Sequence, residues 1–221
     1  MCGRFYLVED TQTLKEQFNA QGQVSIRLIP RYNIAPGQKV PIIREGAAGH
    51  QVVFMRWGLI PHWSKESKLK YSTINARAET VDQKPVYRTP FKRSRCLVPA
   101  SGFYEWKKVG ADKQPFLIRL KSGLMAFAGL WDRWEGENEE IDSFSIIVAD
   151  ANKTVLPIHD RMPVILDRSN YDSWLSSESS PDELKELLVP WGGDDIVLQP
   201  VSKYVNSPRN DDPKCIEVVS G

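Results

Sequence analysis

The residues with the most distinctive chemistry stand at the start of the chain. Initiator methionines are generally removed before a small residue, so loss of Met1 leaves Cys2 with an α-amine and a thiol on adjacent carbons. The amine can form an imine with an aldehyde, and the thiol can close on the imine carbon as a five-membered thiazolidine. The amine titrates near ~7.7–8.0 and the thiol near ~8.5, which predicts usable nucleophilic fractions at neutral pH. The alternative is an unreactive residue on a frayed terminus, but residues 3–7 read as the start of a strand.

Cationic and aromatic side chains are interleaved in two segments between residues 63 and 95. A groove for single-stranded nucleic acid requires this combination, because cations pair with phosphates and aromatic rings stack on bases. A solvated charged loop is the commoner outcome of such a composition, and composition alone does not decide between the two. The side chains are Trp63, Lys65, Lys68, Lys70 and Tyr71 in the first segment, and Tyr87, Arg88, Phe91, Lys92, Arg93 and Arg95 in the second.

The composition is that of a globular protein, with 41% hydrophobic and 26% charged residues in 221. A formal net charge of +1 means that a local patch must meet any anionic partner. Three widely spaced cysteines, Cys2, Cys96 and Cys215, favour a reducing compartment without disulfides. We expect a cytoplasmic protein with no membrane span, since neither a signal peptide nor a long apolar run is present. The histidines show no ligand spacing, so we expect no metal and no cofactor.

Alternating patterns and turn residues predict a chain built mainly from strands. Because alternating βα units are absent, we expect one α+β domain over residues 1–221, mainly antiparallel, with a barrel-like core and short peripheral helices. Residues 31–37 are expected to form a loop that ends in a Pro-Gly turn. The predicted helices are 10–21, 169–176 and one that opens with a capping box at Ser180. The predicted strands are 39–44, 51–57, 95–99, 102–106, 115–120, 124–131, 143–149, 197–202 and 215–219.

Six short motifs, taken in order, resemble the SOS response-associated peptidase family, also called abasic-site processing proteins. Each motif is short, but six in sequence are highly specific, and together they cover the chain from residue 1 to about residue 202. They are Met1-Cys2-Gly3-Arg4-Phe5, Arg31-Tyr32-Asn33 with Pro36, Trp57-Gly58-Leu59-Ile60-Pro61, Asn75-Ala76-Arg77-Ala78-Glu79-Thr80, Gly102-Phe103-Tyr104-Glu105-Trp106 and His159-Asp160-Arg161-Met162-Pro163.

The resemblance implies covalent capture of abasic sites in single-stranded DNA. An abasic site opens to an aldehyde, with which Cys2 would form the thiazolidine and shield the lesion from strand cleavage. Glu105 would act as acid and base, His159 as a second proton shuttle, and Asn75 would orient the amine or the sugar. Arg77 would bind a flanking phosphate. The further candidates for the DNA groove are Arg4, Asn33, Trp63 and Arg161.

Glu105 and His159 also have ordinary structural interpretations. The aromatic neighbours of Glu105 predict partial desolvation, which raises the pKa of a carboxyl toward a useful range. The alternative is a surface glutamate on an edge strand. His159 could equally be a buried histidine bonded to Asp160 or to backbone.

Two other functions remain open from the sequence. Cys2 could be the N-terminal nucleophile of a cysteine peptidase that removes Met1, or the protein could bind single strands without covalent chemistry. A Ser101-His159-Asp160 triad fails, because Ser101 lacks a nucleophile elbow. An imine at Cys2 could also proceed to β-elimination, which is a lyase activity. We expect a monomer, and the sequence identifies no recruitment partner such as a replication protein.

Overall fold

A closed five-stranded barrel forms the larger part of the fold in the computed structural model, which describes residues 2–21 and 28–219. Strands β10, β4, β3, β6 and β9 follow one another around it, and antiparallel pairing of β9 with β10 closes the ring. The predicted 39–57 hairpin is confirmed, with Gly49 at φ 102° in its turn. The bounds are Lys39–Gly46 (β3), Gly49–Trp57 (β4), Arg95–Ala100 (β6), Met125–Glu135 (β9) and Glu140–Asp150 (β10).

A second, five-stranded antiparallel sheet packs beside the barrel in the order β12-β8-β7-β1-β2. In it β1 pairs with β7, so that Phe5 lies opposite Phe103. This pairing carries the amino terminus to the strand that bears Glu105. The bounds are Phe5–Leu7 (β1), Arg31–Ile34 (β2), Gly102–Val109 (β7), Asp112–Leu120 (β8) and Ile196–Pro200 (β12).

Aromatic rings join the two sheets into one core. Phe5 of the second sheet lies edge-on to Trp57 and Phe127 of the barrel, with ring centroids 5.1 and 6.2 Å apart. Phe103 meets Phe127 at 5.9 Å. All four side chains are at most 1% exposed, and the edge-to-face geometry is favourable for aromatic pairs. The start of the chain is therefore fixed against the barrel.

Two short strands flank the end of β10. β5 (Asn75–Arg77) pairs with it in parallel and β11 (Arg161–Pro163) pairs antiparallel. Both contact Val148, one on each edge of β10. The Asn75 and His159 motifs are thus brought to the same end of the barrel.

Short helices lie outside the sheets, as predicted. The capping box at Ser180 is confirmed, and Asp10 caps the first helix as expected. That helix ends at Phe18 with Asn19 in the left-handed region at φ 49°, whereas the expected terminator Gly22 lies outside the described residues. The helices are Thr11–Phe18 (α1), Pro85–Arg93 (α2), Tyr171–Leu175 (α3) and Pro181–Glu186 (α4), with 3₁₀ turns at Ala78–Thr80, Arg168–Asn170, Lys203–Asn206 and Pro213–Ile216.

Two sequence-based assignments are wrong. The loop expected at 31–37 begins with strand β2, which pairs with β1. The strand expected at 215–219 begins as the 3₁₀ turn Pro213–Ile216, because Asp212 caps the turn at Lys214 N–H and a proline stands at its first position. Within described residues 215–219, the only strand-like pairing is an isolated bridge between Val218 and Val201.

No helix in the described ranges combines the length and the apolar character needed to cross a membrane.

Candidate active site

Cys2, Glu105 and His159 come together beside β7, the central strand of the second sheet. His159 Nε2 lies 3.9 Å from Glu105 Oε2, and the Glu105 carboxylate is close enough to raise the pKa of the Cys2 thiol. An open cavity of about 450 Å³ is bordered by Glu105 and His159, whereas Cys2 is fully buried. A carboxyl and an imidazole therefore face a cavity that a ligand can enter, and the thiol lies buried behind the carboxyl.

Glu105 is desolvated, as predicted, but the two neighbouring aromatic residues are not the whole reason. Side chains alternate along a strand, so Tyr104 and Trp106 face a second apolar cluster, on the side of the strand opposite Glu105. Glu105 shares its face with Phe103, which belongs to the main core together with Cys2. Glu105 is only 3% exposed. This burial raises the pKa of its carboxyl to about 7.

We expect the stability of the protein to report this raised pKa. A carboxyl whose pKa rises on folding holds its proton more tightly in the folded state than in the unfolded state. The free energy of unfolding therefore falls as pH rises from about 4.5 through about 7. Glu105→Gln carries no titrating group. Relative to that variant, the wild type should lose about 3 kcal/mol in free energy of unfolding across this range.

Urea unfolding at about pH 5 and about pH 8 measures this difference. The matched control is Glu137→Gln, an exposed glutamate in the turn between β9 and β10, which should keep the pH dependence of the wild type. Parallel pH dependences for the wild type and Glu105→Gln would contradict the desolvation of Glu105.

The Cys2 thiol differs from its sequence-based description. Burial, and then the charge of Glu105, raises its pKa well above the usual range, so the expected thiolate fraction at neutral pH is wrong for this fold. The Sγ atom lies 3.9 Å from the carbonyl oxygen of Arg4, in a geometry for S–H donation. The thiol is therefore held protonated, and any attack by sulfur needs a base to accept its proton.

His159 is held in a defined orientation by backbone. The N–H of Arg161 donates to His159 Nδ1 at 3.0 Å, which places the proton of a neutral ring on Nε2, the atom nearer Glu105. Burial is the largest cause that lowers the pKa of His159, so the neutral ring is favoured. The carboxylate of Asp160 also lies 2.8 Å from Nδ1, but it is largely exposed, and we regard the backbone N–H as the partner that sets the tautomer.

Arg4 and Asn33 form a structural network behind the site. Arg4 Nη1 donates to Asn33 Oδ1 at 2.7 Å and to the carbonyl of Val205 at 3.1 Å. Asn33 is fully buried, and its Nδ2 shares its two N–H groups among three carbonyl oxygens in residues 205–210. Asn33 thus faces the protein interior, and it positions Arg4.

Asn75 has an unusual environment. Both its Nδ2 and its Oδ1 are buried without a hydrogen-bond partner among the described residues. A buried amide normally finds partners, so this side chain is suited to receive a ligand. On the same strand, Arg77 is exposed. Arg161 instead pairs with Glu79 and lies 3.3 Å from Asp150.

Trp63 lies on the surface, 52% exposed. The preceding residue is fixed, because Asp132 accepts from His62 N–H and contacts its ring Nδ1, each at 2.9 Å. Tyr71 is exposed to a similar extent, at 53%. These two rings are available for stacking.

Three further residues border the cavity that sequence reasoning did not assign to the site: Trp106, Lys113 and Asn206. Trp106 stands inside a recognised motif, whereas Lys113 lies on the next strand and Asn206 in the last part of the chain. Nothing in their local sequence signals this position.

Among the residues that the structure describes, no group of three or more His, Cys, Asp or Glu side chains is arranged to hold a metal ion.

The fold and this cluster define a known class, and the chain belongs to the SOS response associated peptidase (SRAP) family, whose model matches residues 1–208. The resemblance inferred from the six motifs is therefore confirmed. The chain is 43% identical over 222 residues to the abasic site processing protein YoqW of Bacillus subtilis, covering 98% of this chain and 99% of that one. It is 36% identical to the abasic site processing protein HMCES of Xenopus tropicalis, covering 86% of this chain and 66% of that one.

Solved structures show the same fold. A protein from Bacteroides thetaiotaomicron superposes with a TM-score of 0.88 at 29% identity, covering 99% of this chain and all (100%) of that one. A protein from Bordetella bronchiseptica gives 0.79 at 25% identity, over 91% of this chain and 100% of that one.

Proposed function

We propose that this protein captures abasic sites in single-stranded DNA as a covalent adduct of Cys2, after removal of Met1. The observation that carries the proposal is the proximity of the buried Cys2 to Glu105, which borders an accessible cavity together with His159. Membership of a family whose relatives are named abasic site processing proteins supports the substrate class. An abasic sugar in its open form presents an aldehyde, the group that an amine and a neighbouring thiol trap together.

The chemistry is a condensation without a redox step. The Cys2 amine attacks C1′ of the aldehyde, and the N–C1′ bond forms. The hydroxyl then leaves as water, which gives an imine. Sulfur closes on C1′, the S–C1′ bond forms, and the thiol proton passes to the nitrogen. One molecule of water is released overall, and no external oxidant or co-reactant is needed.

Glu105 supplies the proton transfers that these steps require. With a pKa of about 7, it is present in both protonation states at neutral pH, which suits a group that must act as acid and as base. As an acid it protonates the leaving hydroxyl. As a carboxylate it accepts the proton of the buried Cys2 thiol. His159 Nε2, 3.9 Å away, relays protons between Glu105 and the cavity.

The DNA strand is held by groups around this centre. In this proposal Arg77, which is exposed, pairs with a phosphate, Trp63 stacks on an unpaired base, and the unpartnered amide of Asn75 binds the sugar or the Cys2 amine. Arg4 adds positive charge behind the site, and Arg161 would exchange its pairing with Glu79 for a phosphate. Stacking needs exposed base faces, so single strands should be preferred over continuous duplex.

Intact-mass spectrometry tests the proposal. The purified protein should lack Met1, and incubation with an abasic oligonucleotide should add the mass of the oligonucleotide minus one water. The annealed duplex should react more slowly. A chain with one extra residue before Cys2 should bind the oligonucleotide but form no adduct, because its amine is displaced. Full adduct formation by protein that retains Met1 would exclude the amine from the mechanism.

Two side activities follow from the same intermediates. Removal of Met1 by the protein itself would make Cys2 a peptidase-type nucleophile toward its own chain. Elimination from the imine would cleave the strand, which is an abasic-site lyase activity. The thiazolidine competes with elimination, since ring closure consumes the imine. We therefore expect strand cleavage to remain the minor outcome with the wild type.

A further inference from the structure

Two polar side chains at the cavity have no place in the chemistry described so far. Of its five lining residues, Glu105 and His159 handle protons, and Trp106 is an aromatic wall. Lys113 and Asn206 remain. Lys113 is an exposed residue of β8, and Asn206 is an exposed residue of the 3₁₀ turn Lys203–Asn206.

Asn206 borders the cavity and carries two amide N–H donors. Its Oδ1 accepts from Trp106 Nε1 at 2.8 Å, so the acceptor end of the amide is occupied and the two N–H groups of Nδ2 point away from that bond. Trp106 is fixed from a second direction by Arg4, whose guanidinium carbon lies 5.9 Å from the ring centroid. The position of Asn206 is therefore set by a rigid neighbour.

Lys113 lies in a position that is unfavourable for the fold. It pairs directly across the β7–β8 hairpin with Lys108, and like charges directly opposite each other destabilise a sheet. The adjacent carboxylate of Asp112 is engaged by Lys203 at 2.6 Å. Burial is the main cause that lowers the pKa of His159, and the charge of Lys113 lowers it further. An anion beside Lys113 would relieve these repulsions.

We propose that Lys113 and Asn206 form a subsite for one backbone phosphate next to the abasic nucleotide. An ammonium and an amide N–H₂ are both donors, and phosphate oxygens are the acceptors that such a pair binds. An abasic nucleotide has no base to be read, so its sugar and flanking phosphates are what a protein can hold at the reaction centre. The subsite rests on the proposed function and positions C1′ for attack by Cys2.

The test measures non-covalent binding, by fluorescence anisotropy, of an oligonucleotide that carries a tetrahydrofuran abasic analogue, which has no aldehyde. Lys113→Ala should weaken binding about tenfold at low salt and reduce the slope of log K against log salt by about 0.7. Lys113→Arg should restore the slope. Asn206→Asp keeps the acceptor for Trp106 but removes the donors, and it should also weaken binding about tenfold.

Lys121→Ala is the matched control, because it removes the same charge just beyond the other end of β8, roughly 26 Å away along the strand. Neutral methylphosphonates placed one at a time beside the analogue identify the phosphate. At one position the substitution should weaken the wild type but leave Lys113→Ala unchanged. Additive losses at every position, or an unchanged salt slope in Lys113→Ala, would overturn the subsite.

The two proposals fail separately. If the wild type forms no covalent adduct with a natural abasic oligonucleotide, the proposed function is wrong, while binding of the analogue still decides whether Lys113 holds a phosphate. If adducts form but Lys113 shows no coupling to any phosphate, only the subsite is wrong.

Discussion

Cys2→Ser should form an adduct with abasic single-stranded DNA that disappears on heating unless borohydride is present. Serine keeps the terminal amine and, being small, still permits removal of Met1. Its hydroxyl is a poorer nucleophile toward an imine than sulfur, so the reaction should stop at the imine. The wild-type adduct should survive heating without reductant. Loss of the heat-stable product should be essentially complete, because the sulfur that closes the ring has been removed.

A denaturing gel of protein with an abasic oligonucleotide, with and without borohydride, measures this difference. The same gel reports strand cleavage, which should increase in Cys2→Ser because the imine persists and can eliminate. Cys96→Ser is the control, since Cys96 is also fully buried but lies on a barrel strand. A Cys2→Ser adduct as heat-stable as that of the wild type would move the attachment to another residue.

Glu105→Gln should slow adduct formation by about 10²–10⁴-fold, the range typical of a lost general acid or base. Glutamine has the shape of the glutamate but neither gives up nor accepts a proton, so both imine formation and ring closure should slow. The pH dependence should change as well. The wild-type rate should fall above about pH 7, the pKa of Glu105, because the acid form is lost there, whereas Glu105→Gln should show no such fall.

Single-turnover rates with excess protein provide the measurement. The comparison is made on the alkaline side, where the Cys2 amine is largely neutral in both proteins. Because Glu105→Gln should not share the alkaline loss of stability of the wild type, its urea unfolding curve at that pH shows whether unfolding contributes to a slower reaction. Glu137→Gln should react like the wild type. A Glu105→Gln rate equal to that of the wild type would remove Glu105 from the chemistry.

The sequence predicts those elements of the fold whose pattern is local. The β3–β4 hairpin follows from alternation around a glycine-containing turn, and the capping box at Ser180 is read from four residues. Strand β2 is not predicted, because part of what stabilises it comes from a residue far away in the sequence. The N–H groups of Tyr32 and Asn33 donate to the carboxylate of Asp211, at 2.5 and 2.9 Å, and a contact across that separation leaves no local signal.

The candidate site divides in the same way. Cys2, Glu105 and His159 stand in recognisable motifs, and the structure brings them together, although their catalytic roles stay predictions. Lys113 reaches the cavity because β8 pairs with β7. Asn206 reaches it because the 3₁₀ turn Lys203–Asn206 packs back against Trp106 of β7. The sequence also gave no way to see that Cys2 is buried, and burial reverses the expected state of its thiol.

The contact between Arg4 and Val205 spans 201 residues of chain. At about 5–20 residues per second of synthesis, the amino end is made roughly 10–40 s before its partner exists. During that interval a ribosome-associated aminopeptidase can reach Met1, whereas the completed fold buries Cys2. A nascent chain that stalls before residue 203 lacks the segment that packs against Arg4 and Asn33. The burial of Cys2 is therefore expected only after synthesis has passed this contact.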